Sequence, residues 1–263
     1  MSKKQLNIVA VIPARMAATR FPGKPMAKIL DIPMIEHVFK RVSLAESLSD
    51  VYVATCDAEI FDYVESIDGK AVMTSDCHER CSDRCAEAML KIEESTGKRV
   101  DILVMVQGDE PLTHPDMIDE ALSPMLSDSS VLITNLTGEI KTDNEFNSPN
   151  EVKVVMDKEG NALYLSREPI PSKKKFSGEV PQYKQIPVIP FKRDFLIKYN
   201  EMTPTELEII ESVDMLRVLE NGYKLKMIKT NYVVKAVDIP EDIGVVESLM
   251  INDKLYKKTL FSI

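Results

Sequence analysis

The sequence predicts an α/β fold built on a doubly wound, mostly parallel sheet. Short apolar runs rich in valine and isoleucine alternate with stretches whose apolar residues recur at helical spacing. The links between these elements are short, as in consecutive strand–helix–strand units. The chain has 263 residues, of which 44% are hydrophobic, so it can form one large core or a core with an inserted subdomain.

The elements of the first half follow in this alternating order. Apolar runs predict strands at residues 7–13, 51–55, 70–74, 102–106 and 131–136. Helical spacing predicts helices at residues 33–48, 58–67, 82–94 and 115–126, and Pro33 suits the first of them as an opening residue. Ligands bind such sheets beyond the carboxyl ends of the strands, which points to the loops after Pro13 and Val106.

The pattern changes near Asn147, and this change predicts an insertion. The predicted insertion contains strands at residues 152–156 and 163–165, joined by a turn. A polar loop at 173–181 and one long helix at about 205–221 follow. Thr203 is the expected cap of the helix, Pro204 its first residue and Gly222 its end. Strand character returns at 224–230 and 233–237, and residues 238–242 open the last helix. The predicted division is a core of residues 1–150 and 223–263 and an insertion of residues 151–222.

Charge and hydropathy exclude several classes of function. The formal net charge of −9 argues against a general nucleic-acid-binding protein, because phosphate contacts need a basic face. No run approaches the roughly 18 apolar residues that a membrane span needs. The first apolar stretch is short and ends at Pro13 and Arg15, which favours a strand over a signal peptide. We therefore expect a cytoplasmic protein that binds neither nucleic acid nor membrane.

Three of the four cysteines lie four residues apart around His78. They are Cys77, Cys81 and Cys85. A zinc site is one interpretation, but the spacing is unusual and a second ligand pair is missing. Buried thiols at helical spacing are the favoured alternative, and His78 is left as a residue to test for function.

The loop after the first strand combines cations with a glycine, in Arg15, Thr19, Arg20, Gly23 and Lys24. This combination suits a polyphosphate, because the cations supply charge and open backbone amides can approach phosphate oxygens. The Walker A pattern is absent. On composition alone, a solvated basic loop is an equal alternative.

Two aspartates end apolar segments that are far apart in sequence. Asp109 follows a fully apolar strand beside Gly108, and a carboxylate there costs free energy unless it is paired or binds a metal. Asp238 ends the apolar run at 233–237. Two such aspartates in one cleft would hold Mg²⁺, the ion that usually bridges carboxylates and phosphates in nucleotidyl transfer. The alternative is that Asp238 only caps its following helix.

These segments resemble the signature of the sugar-acid cytidylyltransferases. Within that family they are most similar to the type that acts on 3-deoxy-manno-octulosonate (Kdo). The matching segments cover nearly the whole chain and are residues 12–15 (IPAR), 19–25 (TRFPGKP), 33–38 (PMIEHV), 106–111 (VQGDEP), 146–153 (FNSPNEVK), 162–167 (ALYLSR), 216–219 (LRVL) and 237–242 (VDIPED). The motifs in the first 111 residues are together highly specific.

The resemblance implies a Rossmann-like, nucleotide-diphospho-sugar transferase-like core at 1–150 and 223–263. It makes the insertion at 151–222 an α+β subdomain for acceptor binding and dimerisation. The implied enzyme transfers CMP from CTP to a Kdo-like sugar acid or related anionic acceptor and releases pyrophosphate. It would need Mg²⁺, form a homodimer through residues of roughly 153–210, and act in lipopolysaccharide or surface polysaccharide biosynthesis.

The resemblance also assigns roles to residues. The implied catalytic residues are Arg15, Lys24 and Asp109, and Asp109 and Asp238 would hold the metal. The implied nucleotide-binding residues are Pro13, Ala14, Arg15, Arg20, Lys24, Ser82, Arg84 and Gln107. The implied acceptor-binding residues are Gln185, Ile189, Glu211 and Asp214, and the nearby acidic residue Glu208 is grouped with them.

Two departures from the family pattern affect specificity. The family has a His-x-Ser-Gly-Thr-x-Arg segment, and this chain has Arg80-Cys81 in place of its Ser-Gly pair, so a glycine is replaced by a thiol. Kdo enzymes place a histidine and a tyrosine where this chain has Gln185 and Ile189. Loss of hydrogen-bonding groups from such a pocket predicts a changed acceptor.

Three alternatives therefore stay open. The chain could be a non-catalytic nucleotide-binding regulatory relative, could use another nucleotide, or could act on an amino-substituted sugar acid or a phosphonate. Retention of both aspartates together with Arg15 and Lys24 argues against the first alternative.

Overall fold

The computed structural model describes residues 5–17 and 20–256 of the chain. They divide into two compact units, one from residues 1–119 and 233–263 and the other from residues 120–232. The helices are α1 (Met34–Val42), α2 (Ala58–Ser66), α3 (Cys81–Thr96), α4 (Pro115–Ser127), α5 (Asp143–Asn147), α6 (Arg193–Glu201), α7 (Glu206–Glu211), α8 (Leu216–Glu220) and α9 (Asp242–Ile251).

The strands include the predicted apolar runs. They are β1 (Ile8–Ala14), β2 (Lys28–Ile29), β3 (Ile32–Pro33), β4 (Asp50–Thr55), β5 (Ala71–Met73), β6 (Ile102–Val106), β7 (Thr134–Glu139), β8 (Lys153–Met156), β9 (Ala162–Ser166), β10 (Tyr183–Ile186), β11 (Val188–Lys192) and β12 (Lys226–Thr230).

The first unit is built on a parallel arrangement in which the strands run in the order β6-β1-β4-β5. Every residue of β1 and β6 is buried, as continuous apolar runs in a parallel sheet require. The predicted mostly parallel α/β core is thereby confirmed. Because β1 and β6 are adjacent and parallel, their carboxyl ends lie side by side, and so do the loops that leave them.

The C-terminal part of the chain packs into the same unit. Val237 joins Val246 and Met250 of α9 in a buried cluster with Ile29 and Met34. Residues 233–237 were predicted as a strand, and this is wrong. Val237 donates its N–H to the carbonyl of Asp109 and its own carbonyl accepts from Lys24, so its backbone makes two isolated contacts and does not join a strand ladder.

The second unit carries a mixed sheet in the order β12-β7-β10-β8-β9. Strands β12 and β7 are parallel, and β7, β10, β8 and β9 pair antiparallel in turn. Gly160, at a φ of 78°, lies in the turn between β8 and β9, as the sequence predicts. The predicted insertion began at residue 151, whereas this unit begins at residue 120, because β7 pairs with β10 and β12.

The prediction of one long helix at residues 205–221 is wrong in two respects. It is two helices, α7 and α8, because Arg167 donates to the carbonyls of Glu211 and Ser212, and Ser212 takes a left-handed φ of 51°. Thr205, not Thr203, precedes α7, and the carboxylate of Glu208 accepts from its backbone N–H at 3.1 Å. Helix α1 also ends earlier than predicted, since residues 43–45 form tighter turns.

Among residues 5–17 and 20–256, helices long and apolar enough to cross a bilayer were not found.

Candidate functional site

A cleft of about 260 Å³ lies at the carboxyl ends of β1 and β6. Its lining comes from the two predicted loops and from the segment that ends at Asp238, all within the first unit. The lining residues are Pro13, Ala14, Arg15, Arg20, Phe21, Lys24, Pro25, Met34, Cys81, Gln107, Gly108, Asp109 and Asp238. The cleft thus gathers eight residues that the sequence assigns to nucleotide or metal binding, whereas Thr19 lies outside the described residues.

Lys24 joins the three segments of the cleft. It opens a short 3-10 turn after Gly23, whose φ of 73° is in the left-handed region that favours glycine. Its Nζ donates to Oδ2 of Asp109 at 2.6 Å and to the carbonyl of Val237 at 2.9 Å. The pair is half-buried, with side-chain exposures of 14% and 28%, so an incoming anion or cation can reach either partner.

Asp238 forms a second ion pair at the same cleft. Arg20 donates from Nη2 to its Oδ1 at 2.8 Å. The side chain that binds the open backbone ahead of α9 is Asp242, which accepts from the N–H groups of Asp238 and Ile239 at 2.9 and 3.2 Å. Burial alone would raise the pKa of Asp242, but the hydrogen bond from Lys235 and these backbone bonds lower it. Asp238 is therefore not the cap of the helix.

The two aspartates fit a magnesium ion that arrives with a polyphosphate. Asp109 and Asp238 line one cleft and supply hard carboxylate oxygens, and phosphate oxygens would complete the shell. Groups of three or more His, Cys, Asp or Glu side chains suited to a metal were not found in the described parts of the chain. The fit therefore rests on two protein carboxylates.

Gly108 explains why the two loops approach so closely. A Cβ built on it would lie 3.0 Å from the carbonyl oxygen of Pro13 and 3.5 Å from Ile12. Any larger residue would push the loop that carries Gln107 and Asp109 away from the end of β1. The glycine is needed for this close approach and not for an unusual φ.

Arg15 is exposed and lines the cleft at the end of β1. Its side chain makes no hydrogen bond or ion pair with any residue in the described ranges, unlike Lys24. A cation that is held by no carboxylate carries its full charge toward an incoming phosphate.

A smaller cavity of about 60 Å³ adjoins the end of β1. We call it the side cavity, and its lining residues are Pro13, Ala14, Arg15, His78, Glu79, Arg80, Cys81 and Arg84. Arg84 is only 3% exposed, donates to the hydroxyl of Thr74 and to the carbonyl of Ser75, and leaves Nη2 without a hydrogen-bond partner. A buried donor in this state favours a ligand that offers an acceptor atom. Ser82 is fully buried in the first turn of α3 and lines neither cavity.

Cys81 and Gln107 connect the two cavities. The Cys81 thiol lines both, and it donates to Oε1 of Gln107 at 3.3 Å. Cys77 is exposed ahead of α3 and Cys85 is buried inside it, so the three clustered thiols occupy different environments. The favoured interpretation, buried thiols at helical spacing, therefore holds for Cys85 and not for Cys77.

His78 is held by Glu87 of α3, which also pairs with Lys91. Burial alone would raise the pKa of Glu87. Hydrogen bonds from Lys91, the backbone of Ser75 and His78 outweigh this effect and lower the pKa to about 2. His78 is thus part of a surface ion-pair group at the border of the side cavity.

The predicted acceptor residues lie in the second unit, where they occupy three different environments. Gln185 is half-buried and its amide nitrogen donates to Oδ1 of Asn135 at 2.6 Å. Ile189 is 3% exposed. Glu208 is buried in a bidentate ion pair with Arg217, at 2.7 and 2.8 Å, which gives it a structural role and does not support its assignment to the acceptor.

Glu211 and Asp214 flank the break between α7 and α8. Glu211 accepts hydrogen bonds from Tyr164, Ser166 and the backbone N–H of Arg167, at 3.1, 2.7 and 2.9 Å. Burial alone would raise its pKa, but these bonds lower it, so the carboxylate is held in its charged form. Asp214 is half-buried, and its backbone carbonyl accepts from Tyr199.

The sequence analysis assigned no role to five residues that line the larger cleft. Phe21, Pro25, Met34 and Gly108 lie inside the matching segments 19–25, 33–38 and 106–111, so a signal was present. Cys81 was noted only as a departure from the family pattern, because its place depends on how α3 packs beside β1.

Comparisons with known proteins agree with this geometry. The cytidylyltransferase family model matches residues 9–230. A 3-deoxy-manno-octulosonate cytidylyltransferase of Geobacter metallireducens is 42% identical over 255 residues, which cover 93% of this chain and 98% of that protein. The protein of the same name from Geotalea uraniireducens is 44% identical over 248 residues, with coverages of 90% and 96%.

The fold is shared with a solved structure of similar length. CMP:2-keto-3-deoxy-manno-octonic acid synthetase complexed with CTP matches with a TM-score of 0.86 at 33% identity, and the match covers 93% of this chain and 98% of that one. The nucleotide-diphospho-sugar transferase-like fold is thereby confirmed.

Proposed function

Because this chain belongs to the cytidylyltransferase family, we propose that it transfers CMP from CTP to a sugar acid of the Kdo type and releases pyrophosphate. The observation that carries the proposal is the cleft at the ends of β1 and β6. Arg15, Lys24 and Arg20 line it together with Asp109 and Asp238, which is a set suited to a triphosphate and a divalent cation.

The residues of the cleft divide the work of the reaction. Arg15 and Lys24 neutralise charge as it builds on the phosphates while the acceptor oxygen attacks the α-phosphorus. Asp109 and Asp238 would hold Mg²⁺, which supplies further charge neutralisation at the phosphates. A cation bound by Asp109 would compete with Lys24 for this carboxylate, and the Lys24 ammonium would then be available to a phosphate oxygen. Positioning and electrostatics carry most of the rate, as in other phosphoryl transfers.

The side cavity is the proposed place of the pyrimidine. It opens beside Arg15, and the unpartnered Nη2 of Arg84 offers a donor to a carbonyl or ring nitrogen of the base. Gln107 lies at its border, with its amide oxygen accepting from Cys81. This arrangement favours a base with acceptor atoms on the recognised edge, as cytosine has.

The acceptor is proposed to differ from Kdo at the position that Gln185 recognises. Asn135 donates through Nδ2 to the carbonyls of Leu136 and Ile186, so its oxygen faces Gln185 and fixes the amide nitrogen of Gln185 toward it. The group of Gln185 that stays available to a substrate is therefore mainly its amide oxygen. An oxygen acceptor suits an amine or hydroxyl donor on the substrate, which favours an amino-substituted sugar acid.

The homodimer and the roles of the two units are proposals as well. We place the acceptor site in the second unit, within residues 151–222, and the dimer contact on residues of roughly 153–210. Support for a contact comes from Leu163, Ile209 and Ile210, which are 62%, 63% and 68% exposed. Sedimentation as a monomer at micromolar concentration would count against the homodimer.

A matrix of nucleotides against acids tests the function. Pyrophosphate release is measured with CTP, UTP, ATP and GTP, each combined with Kdo, an amino-substituted Kdo analogue, a nine-carbon sugar acid and a phosphonate. We expect release with CTP and a sugar acid. Binding of CTP without release in any combination would favour the non-catalytic alternative.

The same assay tests the acceptor. Loss of two hydrogen-bonding groups, at about 1–3 kcal/mol each, lowers kcat/KM for Kdo by roughly one to four powers of ten relative to the best acceptor. The double variant Gln185→His, Ile189→Tyr should shift the preference toward Kdo. If the unaltered enzyme prefers Kdo over the whole panel, the changed-acceptor proposal is wrong while the cytidylyltransferase proposal stands.

A further inference from the structure

The four cysteines differ in what surrounds them. Cys85 is fully buried, and burial raises the pKa of its thiol. Cys77 is exposed and lines neither cavity, and Cys56 is half-buried. Cys81 is half-buried and is the one cysteine that lines both the cleft and the side cavity described above.

Cations outnumber anions around Cys81. Arg15, Arg80 and Arg84 line the side cavity with it, against one carboxylate, that of Glu79. Arginine side chains beside a thiol stabilise the thiolate, which is the reactive form. The same charges attract an anionic reagent into the cavity.

Arg84 provides an independent indication that the side cavity takes a ligand. The residue is 97% buried, lines the cavity, and keeps Nη2 of its guanidinium without a hydrogen-bond partner. A buried charged donor in this state is costly unless a ligand satisfies it. A carboxylate-bearing molecule would do so, and it would bring its own reactive atoms close to Cys81.

We propose that Cys81 is a site of reversible covalent modification by anionic low-molecular-weight disulfides of the glutathione disulfide type. The Cys81 thiolate attacks one sulfur of the disulfide, the bond between the two sulfurs breaks, and a new bond joins Sγ to the attacked sulfur. The other sulfur leaves as a thiolate and takes up a proton from water. The balance is one protein thiol and one disulfide giving one mixed disulfide and one free thiol.

The adduct closes the nucleotide site. The side cavity has a volume of only about 60 Å³, so a tripeptide does not fit inside it. Because Arg15 and Cys81 line both cavities, we expect the rest of the adduct to extend into the cleft. The hydrogen bond from Cys81 to Gln107 is lost at the same time. This consequence rests on the proposed place of CTP, whereas the modification itself does not.

The experiment treats the full chain with glutathione disulfide and follows two readouts. Mass spectrometry of the digested protein locates the adduct, and pyrophosphate release from CTP and the best sugar acid reports activity. We expect an adduct on Cys81, loss of more than nine-tenths of the activity, and recovery after reduction with dithiothreitol. Excess CTP present during treatment should slow both the labelling of Cys81 and the loss of activity by at least tenfold.

Two variants separate Cys81 from the exposed thiol. Cys81→Ser should keep its own untreated activity after exposure to the disulfide. Cys77→Ser, the matched control, should lose the Cys77 adduct and remain as sensitive as the unaltered chain. Circular dichroism confirms that both variants fold, and Cys81→Ala replaces the serine variant if that one does not.

A comparison of reagent charge tests the role of the arginines. Glutathione disulfide should label Cys81 several-fold faster than the cationic disulfide cystamine, and Arg80→Gln should reduce this ratio. An unlabelled Cys81 in an active, folded enzyme would overturn the proposed modification. A labelled Cys81 in an enzyme that keeps full activity would overturn the closure of the nucleotide site. Inactivity of the untreated chain with CTP would instead count against the proposed function.

Discussion

The two units each contain short carboxylate–cation pairs, but the surroundings of these pairs differ. In the cleft, Lys24 lies 2.6 Å from Asp109, and both side chains keep part of their surface exposed. In the second unit, Arg217 lies 2.7 Å from Glu208, with side-chain exposures of 3% and 0%. The distances are alike, and only the burial separates them.

Burial decides whether such a pair can be exchanged for a ligand. A half-exposed pair contributes little to stability, because water already solvates both charges. It can open when a phosphate or a metal ion offers a replacement partner. A fully buried pair has lost its water, and removing one partner leaves an uncompensated charge. The comparison therefore predicts activity losses in the first unit and stability losses in the second.

The largest effect is expected for Arg217→Met. It leaves the buried carboxylate of Glu208 without its bidentate partner, which typically costs about 3–5 kcal/mol of the free energy of unfolding. Urea unfolding measures this change. The double variant Glu208→Leu, Arg217→Met should recover a large part of the loss, and failure to recover any of it would show that the ion pair is not the cause.

Asp109→Asn is expected to lower kcat by about 10²–10³-fold, the range found when one electrostatic contact to a transition state is removed. The free energy of unfolding should change by less than about 1 kcal/mol, because Lys24 keeps its hydrogen bond to the carbonyl of Val237. Turnover and urea unfolding are measured on the same preparation. A variant that loses stability but keeps full activity would show that the pair of Lys24 and Asp109 has a structural role, like the pair of Arg217 and Glu208.

Asp238→Asn tests the more exposed pair, in which Arg20 is 56% exposed. We expect a smaller activity loss, of about tenfold, that deepens as magnesium becomes limiting. Asp242→Ala is the matched control, because it removes the carboxylate that accepts from the N–H groups of Asp238 and Ile239 and should cost about 1 kcal/mol of stability with little change in turnover. Equal turnover of Asp238→Asn and the unaltered enzyme at limiting magnesium would remove Asp238 from the metal site.

The smallest effect is expected at Glu87, whose pair with His78 lies at the surface. Its pKa is about 2 in the folded chain against an ordinary 4.5, so the unfolded chain binds the proton more readily. The stabilisation is fully present above about pH 4.5 and is lost as the pH falls from there toward 2. In Glu87→Gln, Tm should therefore fall less steeply between pH 4.5 and 2 than in the unaltered chain. An equal fall of Tm in both proteins would contradict this prediction.

Much of the nucleotide cleft could be predicted because its signals are local in sequence. Strands β1 and β6 are uninterrupted apolar runs, and each is followed at once by polar residues such as Arg15 and Asp109. A parallel sheet then places the ends of neighbouring strands together. The sequence could not show that Lys24 and Asp109 pair directly, since that contact depends on the packing of the loops.

The second unit was less predictable because long-range contacts override its local pattern. Residues 205–221 have helical periodicity, yet Arg167 takes the carbonyls of Glu211 and Ser212 that a continuous helix would use. Glu208 was grouped with the acceptor residues from its charge alone, and only the buried position of Arg217 reveals its structural role. A charged residue near a site in sequence does not show which way it faces.

The contacts of Lys24 also determine when the cleft can assemble during synthesis of the chain. Its partners are Asp109 and the carbonyl of Val237, which lie 85 and 213 residues further along. The pairing of β1 with β6 needs only the first 106 residues, but the third side of the cleft is added only after synthesis has reached Asp238. A chain that ends before Asp238 therefore carries Arg15, Arg20 and Lys24 with Asp109 but without the second aspartate of the cleft, and we expect it to be inactive.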